Sequence, residues 1–215
     1  MIPKADTVAD IGCDHGKLAL MLYSRHKAVR IIASDISEPS LNKARKLFSG
    51  RQSKDVMFRT GDGLSVLHDG EADAIVIAGV GGIRIADMLS REMKKAKDAV
   101  LILAPNKAED YLRRWLIKNG FRIIDEDLVK EGPRFYHLIK TAAGEDTGYE
   151  DIHFELGKIL IQKKHRYLKP LIERKIKLAA GMMDTSQNSV NPRTQRTIKR
   201  AQARIKAYGE VLKWL

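Results

Sequence analysis

The 215-residue sequence holds a single cysteine, Cys13. That excludes an internal disulfide and matches a reducing compartment. Its six histidines are dispersed and form no metal-ligand cluster, so no structural zinc is expected. No run approaches the roughly 18 apolar residues of a membrane span. The opening MIPKADTVAD lacks the basic-then-apolar order of a secretory signal. These absences predict a soluble, cytoplasmic protein with no membrane or metal partner; a monomer is expected, though no residue pattern sets the oligomeric state. Acidic charge is also short: 27 Asp or Glu stand against 39 Lys or Arg, a net charge of +12. The surplus sits at one end. From Ile161 to Leu215, fourteen Lys or Arg face only Glu173, Asp184 and Glu210. A basic tail of this kind is the electrostatic footprint of a nucleic-acid binder; a solvated helical surface or an anionic-lipid patch would look similar.

What is present is an α/β pattern. Strand-like and helix-like stretches alternate through the first half, as in a mostly parallel sheet. Thr7–Gly12 is the first expected strand, followed by a helix to about His26. RIIASD, ending in Asp35, is the second. Ser37 is placed as the N-cap of the helix LNKARKLF, with Glu38 and Pro39 in its first turn. Val56–Thr60 leads into the turn Gly61-Asp62-Gly63. Ala72–Ala78 leads into Gly79-Val80-Gly81-Gly82 and a helix from about Ile83 to Lys95. AVLILAP stops at Pro105-Asn106, and AEDYLRRWLIKN closes at Gly120. FRIIDEDLV and RFYHLIKTA then follow with no helix between them, joined by Lys130-Glu131-Gly132-Pro133 into an antiparallel hairpin. Five β/α units closed by a hairpin match the Rossmann-like seven-stranded sheet of methyltransferases dependent on S-adenosyl-L-methionine. A dehydrogenase sheet would end in another parallel strand. Ala142–Gly148 is expected as a linker, and a helix around Phe154–Leu168. Beyond it Ile172, Ile176, Ala179 and Met183, then Ile198, Ala201, Ile205, Tyr208, Leu212 and Leu215, step by three and four as two heptad seams. With MDTSQNSVNPR between them as a turn, they predict an antiparallel coiled-coil hairpin. The expected domains are 1–145 and 146–215.

The chain is organised around VADIGCDHGKL, Val8 to Leu18. A strand, a glycine turn and a helix start at Gly16 place a ligand against free backbone N–H groups. The spacing lacks the Gly-x-Gly start and third glycine of the dinucleotide fingerprint. It is closer to the first motif of the methyltransferases, with Asp14 where a middle glycine is usual. Asp35 is placed to accept two ribose hydroxyls, or else to partner a helix N-cap. Asp62 is placed to accept from an adenine amino group, or serves only its turn. Asp10 and Asp14 suit a cationic ligand better than a pyrophosphate, which they would repel. Three glycines among Gly79, Gly81 and Gly82 permit close backbone approach to a flat base, or a tight strand–helix turn. Asn106 offers a donor and an acceptor at the same edge. His15 is a hydrogen-bond candidate, and Cys13 an apolar filler without a base to activate it.

DIGCDHGKL, SDISEPSLNKA, GDGL, IVIAGVGG, LILAPN and EGPRFYHLI together resemble the bacterial tRNA (adenine-22-N1)-methyltransferase family. The likeness covers nearly the whole chain, basic tail included. It implies methylation of N1 of an adenine in the tRNA D-arm, with S-adenosyl-L-methionine as cofactor and the helical tail assisting tRNA binding. The implied cofactor residues are Asp10, Gly12, Asp14, His15, Asp35, Ile36, Asp62, Gly63 and Gly79. Gly81, Gly82, Pro105 and Asn106 are expected to face the target base. Lys17, Arg193, Arg196, Lys199 and Arg200 are expected to meet RNA. Since N1 lies on the Watson–Crick edge, the base must be unpaired or flipped. The sequence departs from the family in three ways. Members usually carry an amphipathic helix before the first strand, so a preceding segment is expected to be missing. Lys17 stands where many have an aromatic residue, and Ala104 replaces a commoner glutamine. Two other readings stay open: a methyltransferase for another RNA, DNA or a small molecule, and a non-catalytic RNA-binding protein with this fold. No Asn-Pro-Pro-aromatic run follows the fourth strand, which argues against methylation of an adenine amino group.

Overall fold

The structure, a computed structural model, describes all residues except Gln52 and 185–190, and of Asp184, Pro192 and Arg193 only the backbone. The strands are β1 (Ala5–Ile11), β2 (Ala28–Asp35), β3 (Val56–Thr60), β4 (Ala74–Ala78), β5 (Val100–Ala104), β6 (Phe121–Glu131) and β7 (Arg134–Ala143). They form one seven-stranded sheet in the order β3-β2-β1-β4-β5-β7-β6. β1 to β5 are parallel, and β7 runs antiparallel to β5. β1 is central and covered on both faces: Val8 and Ala9 are fully buried, and even the polar Thr7 and Asp10 are almost completely so. Strand order reverses between β1 and β4, which opens a crevice at their carboxyl ends.

The helices of this part are α1 (Lys17–Ser24), α2 (Glu38–Leu47), α3 (Gly82–Arg91), α4 (Met93–Asp98) and α5 (Glu109–Lys118). Ser37 caps α2 through a bond from the Ser40 N–H to its hydroxyl. The helix expected from Ile83 to Lys95 is two helices, broken at Glu92. The break re-aims the chain so that Ala96 is buried as completely as Ile85 and Leu89. Gly16 stands where α1 meets α2. A Cβ there would lie 2.7 Å from that of Ala44, so only glycine allows the two helices to meet.

A buried charged network ties α5 to the hairpin. Arg113 and Glu126 are fully buried and paired at 2.7 Å, and Arg113 Nη2 lies 3.0 Å from His137 Nδ1. His137 Nε2 lies 3.6 Å from Glu109.

The chain divides into two compact units: Met1–Asp127 with Tyr136–Gly148, and Leu128–Phe135 with Tyr149–Leu215. The boundary therefore falls after Gly148, and the tip of the β6–β7 hairpin goes with the helices. It does so because Leu128 and Phe135 pack in one core with Leu156, Leu160, Leu168 and Tyr208. The second unit contains α6 (Asp151–Leu156), α7 (Lys158–Gln162), α8 (Leu168–Asp184) and α9 (Pro192–Trp214). The single helix expected over 154–168 is corrected to two short ones, because Gly157 at φ 95° interrupts it. Leu168 and Ile172, early in α8, share their core with Tyr208 and Leu212, late in α9, which makes the pair antiparallel. The seam residues Ile198, Ala201 and Ile205 are half-buried, while Arg196, Lys199 and Arg200 are exposed. Glu155 fastens α6 to α9: Arg204 Nε lies 2.7 Å from it, and the Tyr208 hydroxyl donates to it. The turn expected over MDTSQNSVNPR lies largely outside the described residues. Pro192 proves to be the first residue of α9, a position where its missing N–H is no loss.

Candidate active site

Because β1 to β5 are parallel, the loops after their carboxyl ends gather on one edge of the sheet. Those after β1 to β4 line a cleft of about 450 Å³. Gly12 and Asp14 come from the first loop, Asp35 and Ile36 from the second, Asp62 and Gly63 from the third, and Gly79 from the fourth. The cleft thus brings together residues 50 or more positions apart in the chain.

Asp35 is the hub. Its Oδ2 accepts the Asp14 N–H at 3.0 Å and its Oδ1 accepts the Ser37 N–H at 2.9 Å. Two loops are held by one carboxylate, and each oxygen keeps a second lone pair for a ligand hydroxyl. Ile36 beside it is 63% exposed, an apolar side chain that lines the cleft. Asp14 is exposed, and His15 beside it holds its carboxyl below the usual range. His15 is engaged on both nitrogens: Nδ1 lies 2.7 Å from Asp14 and Nε2 lies 3.2 Å from the Lys43 ammonium. It is a strut between the first loop and α2.

Asp10 lies one residue before the cleft-lining Ile11 and is 3% exposed. It accepts the Ala19 N–H from the first turn of α1, while its Oδ2 has no partner. Burial, with a smaller push from Asp35, raises its carboxyl to about 7. The folded state therefore holds this proton more tightly than the unfolded chain, whose carboxyl titrates near 3.8. Stability is expected to fall by up to roughly 4 kcal/mol as pH rises from about 4 to 7, then to level off. Asp10→Asn should remove that slope in denaturant titrations run across this range; an unchanged slope would place the proton elsewhere. Burial also pushes the Cys13 thiol up to about 12, which leaves it unreactive.

Asp62 is not alone at its turn. Arg91 Nη1 lies 2.7 Å from one of its oxygens and Arg84 Nη2 lies 3.8 Å from the other. Arg84, which also lines the cleft, and Arg91 escaped the sequence reading. Their only local signal was a shared helix face, seven residues apart, with Asp87 paired to Arg91 at 3.0 Å. The loops after β4 and β5 are zipped together. The Asn106 N–H donates to Val80 O at 3.0 Å, Asn106 Nδ2 donates to Gly79 O at 2.8 Å, and the Gly82 N–H donates to Lys107 O at 2.8 Å. Gly82 is buried, and a Cβ on it would lie 2.3 Å from the Ala108 carbonyl, so its glycine is demanded by packing against the start of α5. Pro105 is buried as well, so it offers the crevice backbone only. Asn106 is exposed. One N–H of its amide is donated to Gly79, which fixes the amide plane and leaves Oδ1 as an acceptor. Lys17 is exposed at the first position of α1. Among the RNA candidates in the second unit, the Arg193 side chain lies outside the described residues. No group of three metal-ligating side chains occurs among the described residues, and none of their helices is long and apolar enough to cross a membrane.

Residues 1–139 match the family model described as methyltransferase domain. Over 162 residues the chain is 36% identical to the tRNA (adenine(22)-N(1))-methyltransferase of Bacillus subtilis, covering 74% of this chain and 68% of that one. The chain belongs to the tRNA (adenine(22)-N(1))-methyltransferase family. It is similar throughout to the crystal structure of the Bacillus subtilis tRNA methyltransferase TrmK, with 30% identity, 98% and 93% of the two chains covered and a TM-score of 0.87. It is likewise similar to the Streptococcus pneumoniae protein Sp1610 in complex with S-adenosyl-L-methionine, with 25% identity, 99% and 94% coverage and a TM-score of 0.84. The family's cofactor is a sulfonium cation with a ribose diol and an adenine. The site fits it in three respects: a buried carboxylate oxygen without a partner at Asp10, a fixed acceptor pair at Asp35, and an exposed apolar side chain at Ile36. Three of the four charged side chains lining the cleft are acidic, which disfavours a pyrophosphate.

Proposed function

We propose that the chain transfers a methyl group from S-adenosyl-L-methionine to N1 of adenine 22 in the D-arm of cytoplasmic tRNA. The reading rests above all on the acidic cleft at the carboxyl ends of β1 to β4, in a chain similar to this family along nearly its whole length. When bound, the cofactor supplies an electrophilic methyl group. Asp35 would take the ribose hydroxyls, Asp10 would answer the positive charge, Ile36 would flank the adenine, and Asp62, held by Arg91, would accept from its amino group.

The protein's remaining task is alignment. Adenine N1 carries an in-plane lone pair, so no general base is needed before attack. The rigid pair of loops at Gly79–Gly82 and Pro105–Asn106 supports the target base. With one amide N–H donated to Gly79 and the amide plane so fixed, Asn106 presents an oxygen, which suits the exocyclic amine of adenine. Guanine would bring O6, a second acceptor, against that oxygen, and its N1 carries a proton and no free lone pair. In the second unit, the exposed Arg196, Lys199 and Arg200 supply contacts to phosphate, which positions tRNA without reading its sequence. These roles divide the work between a methyltransferase part and a tRNA-binding part.

The test is transfer of labelled methyl to two unmodified tRNA transcripts that differ only at position 22. Label should enter the transcript with adenine there and be absent from the one with guanine. Equal labelling of both would assign the chain another target.

A further inference from the structure

The turn between α7 and α8 carries a feature that the proposed chemistry does not use. Its sequence is Lys163-Lys164-His165-Arg166-Tyr167, and no Asp or Glu occurs from Lys158 to Ile172. Lys164 adopts φ 47°, a left-handed conformation that glycine normally fills. The Lys164 N–H donates to Ile161 O and the His165 N–H to Leu160 O, both at 3.0 Å, the bond pair of a Schellman cap. A β-carbon in that conformation is strained, and the two cap bonds hold Lys164 in it. The Lys164 ammonium lies 4.8 Å from the ring centroid of Trp214, in the last turn of α9. Trp214 is 52% exposed although tryptophan is among the most apolar side chains. Next to it in the turn, the Arg166 guanidinium lies 4.6 Å from the Tyr167 ring. All these residues belong to the second unit, and they set cations against two aromatic rings, a half-exposed Trp214 and a Tyr167 partly packed on the core of the unit. That is the composition of a platform on which nucleic-acid bases stack.

We propose that Trp214 and the Lys164–Tyr167 turn form a stacking site for an unpaired base of the tRNA, with Lys164 and Arg166 meeting its phosphates. The proposal rests on the reading of the chain as a tRNA methyltransferase, and adds a sequence-tolerant contact away from the cleft. Stacking would be combined with charge here, whereas the exposed cations of α9 act through charge alone.

The experiment compares wild type with Trp214→Ala, Trp214→Phe and Lys164→Gly. Each is measured for affinity to an unmodified tRNA transcript, KM and kcat in methyl transfer, cofactor affinity and thermal midpoint. Trp214→Ala should weaken tRNA affinity and raise KM roughly tenfold, as loss of one base–aromatic stack does, with kcat and cofactor affinity unchanged. Trp214→Phe should recover most of the loss, because a ring remains. Lys164→Gly should weaken tRNA binding while its thermal midpoint holds or rises, since glycine relieves the left-handed strain. Unchanged tRNA affinity in Trp214→Ala overturns the proposal and assigns the indole to another kind of partner. So does a Phe variant no better than the Ala one, or a Lys164→Gly loss that only tracks lower stability. A wild type that binds tRNA yet methylates no adenine would overturn the methyltransferase reading instead, and the affinities alone would then judge the stacking site.

Discussion

Replacing Asp35 with alanine is expected to lower affinity for S-adenosyl-L-methionine by roughly a hundredfold or more, with tRNA affinity unchanged. Each hydrogen bond from a hydroxyl to an ionised carboxylate contributes about 1.5–3 kcal/mol, and 1.4 kcal/mol is a factor of ten. Two ribose hydroxyls therefore account for the hundredfold loss. The effect should exceed that of deleting a surface acceptor because Asp35 also fixes its own pocket. Without it the Asp14 and Ser37 N–H groups lose their acceptor, and the first and second loops come untied. Asp35→Asn keeps the shape but turns an amide donor toward one of those N–H groups, so it should fall between wild type and alanine. Calorimetric titration with the cofactor gives the answer, and wild-type affinity in Asp35→Ala would remove the cleft assignment.

The second large effect is on stability. Arg113→Met should cost about 3–5 kcal/mol, because it strands the charge of Glu126 inside the protein. Both partners are fully buried, so the pair sits away from solvent. For a chain of this size that corresponds to a fall of about 10 °C in the melting midpoint. Removing both charges together, in Arg113→Met with Glu126→Met, should restore much of the loss, because an apolar pair of similar volume carries no desolvation penalty. Thermal melts of the two single variants and the double variant form the required cycle. Additive losses would show that the pair is not coupled.

The sequence made legible what is local. The strand–turn–helix rhythm placed the sheet, the hairpin without an intervening helix set its final strands antiparallel, and the three-and-four stepping of apolar residues traced the α8–α9 pair. What it hid depends on residues far apart meeting in space. Arg113, Glu126 and His137 are separated by up to 24 positions and carry no common motif, so their network was invisible before the fold joined α5 to the hairpin. The Arg91–Asp62 pair spans 29 positions and was hidden for the same reason. His15 looked like a ligand because a chain of letters does not show Lys43 closing its second nitrogen. Gly82 looked like a glycine for a substrate, whereas the Ala108 carbonyl explains it. Gly157 and Lys164 interrupt a pattern whose apolar spacing alone suggested one continuous helix.

The most direct single measurement is to incubate the protein with an unmodified tRNA transcript and S-adenosyl-L-methionine, digest the RNA, and identify the modified nucleoside by mass and its position by primer extension. The predicted product is 1-methyladenosine, with an extension stop at position 22 that disappears in Asp35→Ala. A methyl group on another atom or another nucleoside, or none in a protein that binds the cofactor, would contradict the assignment.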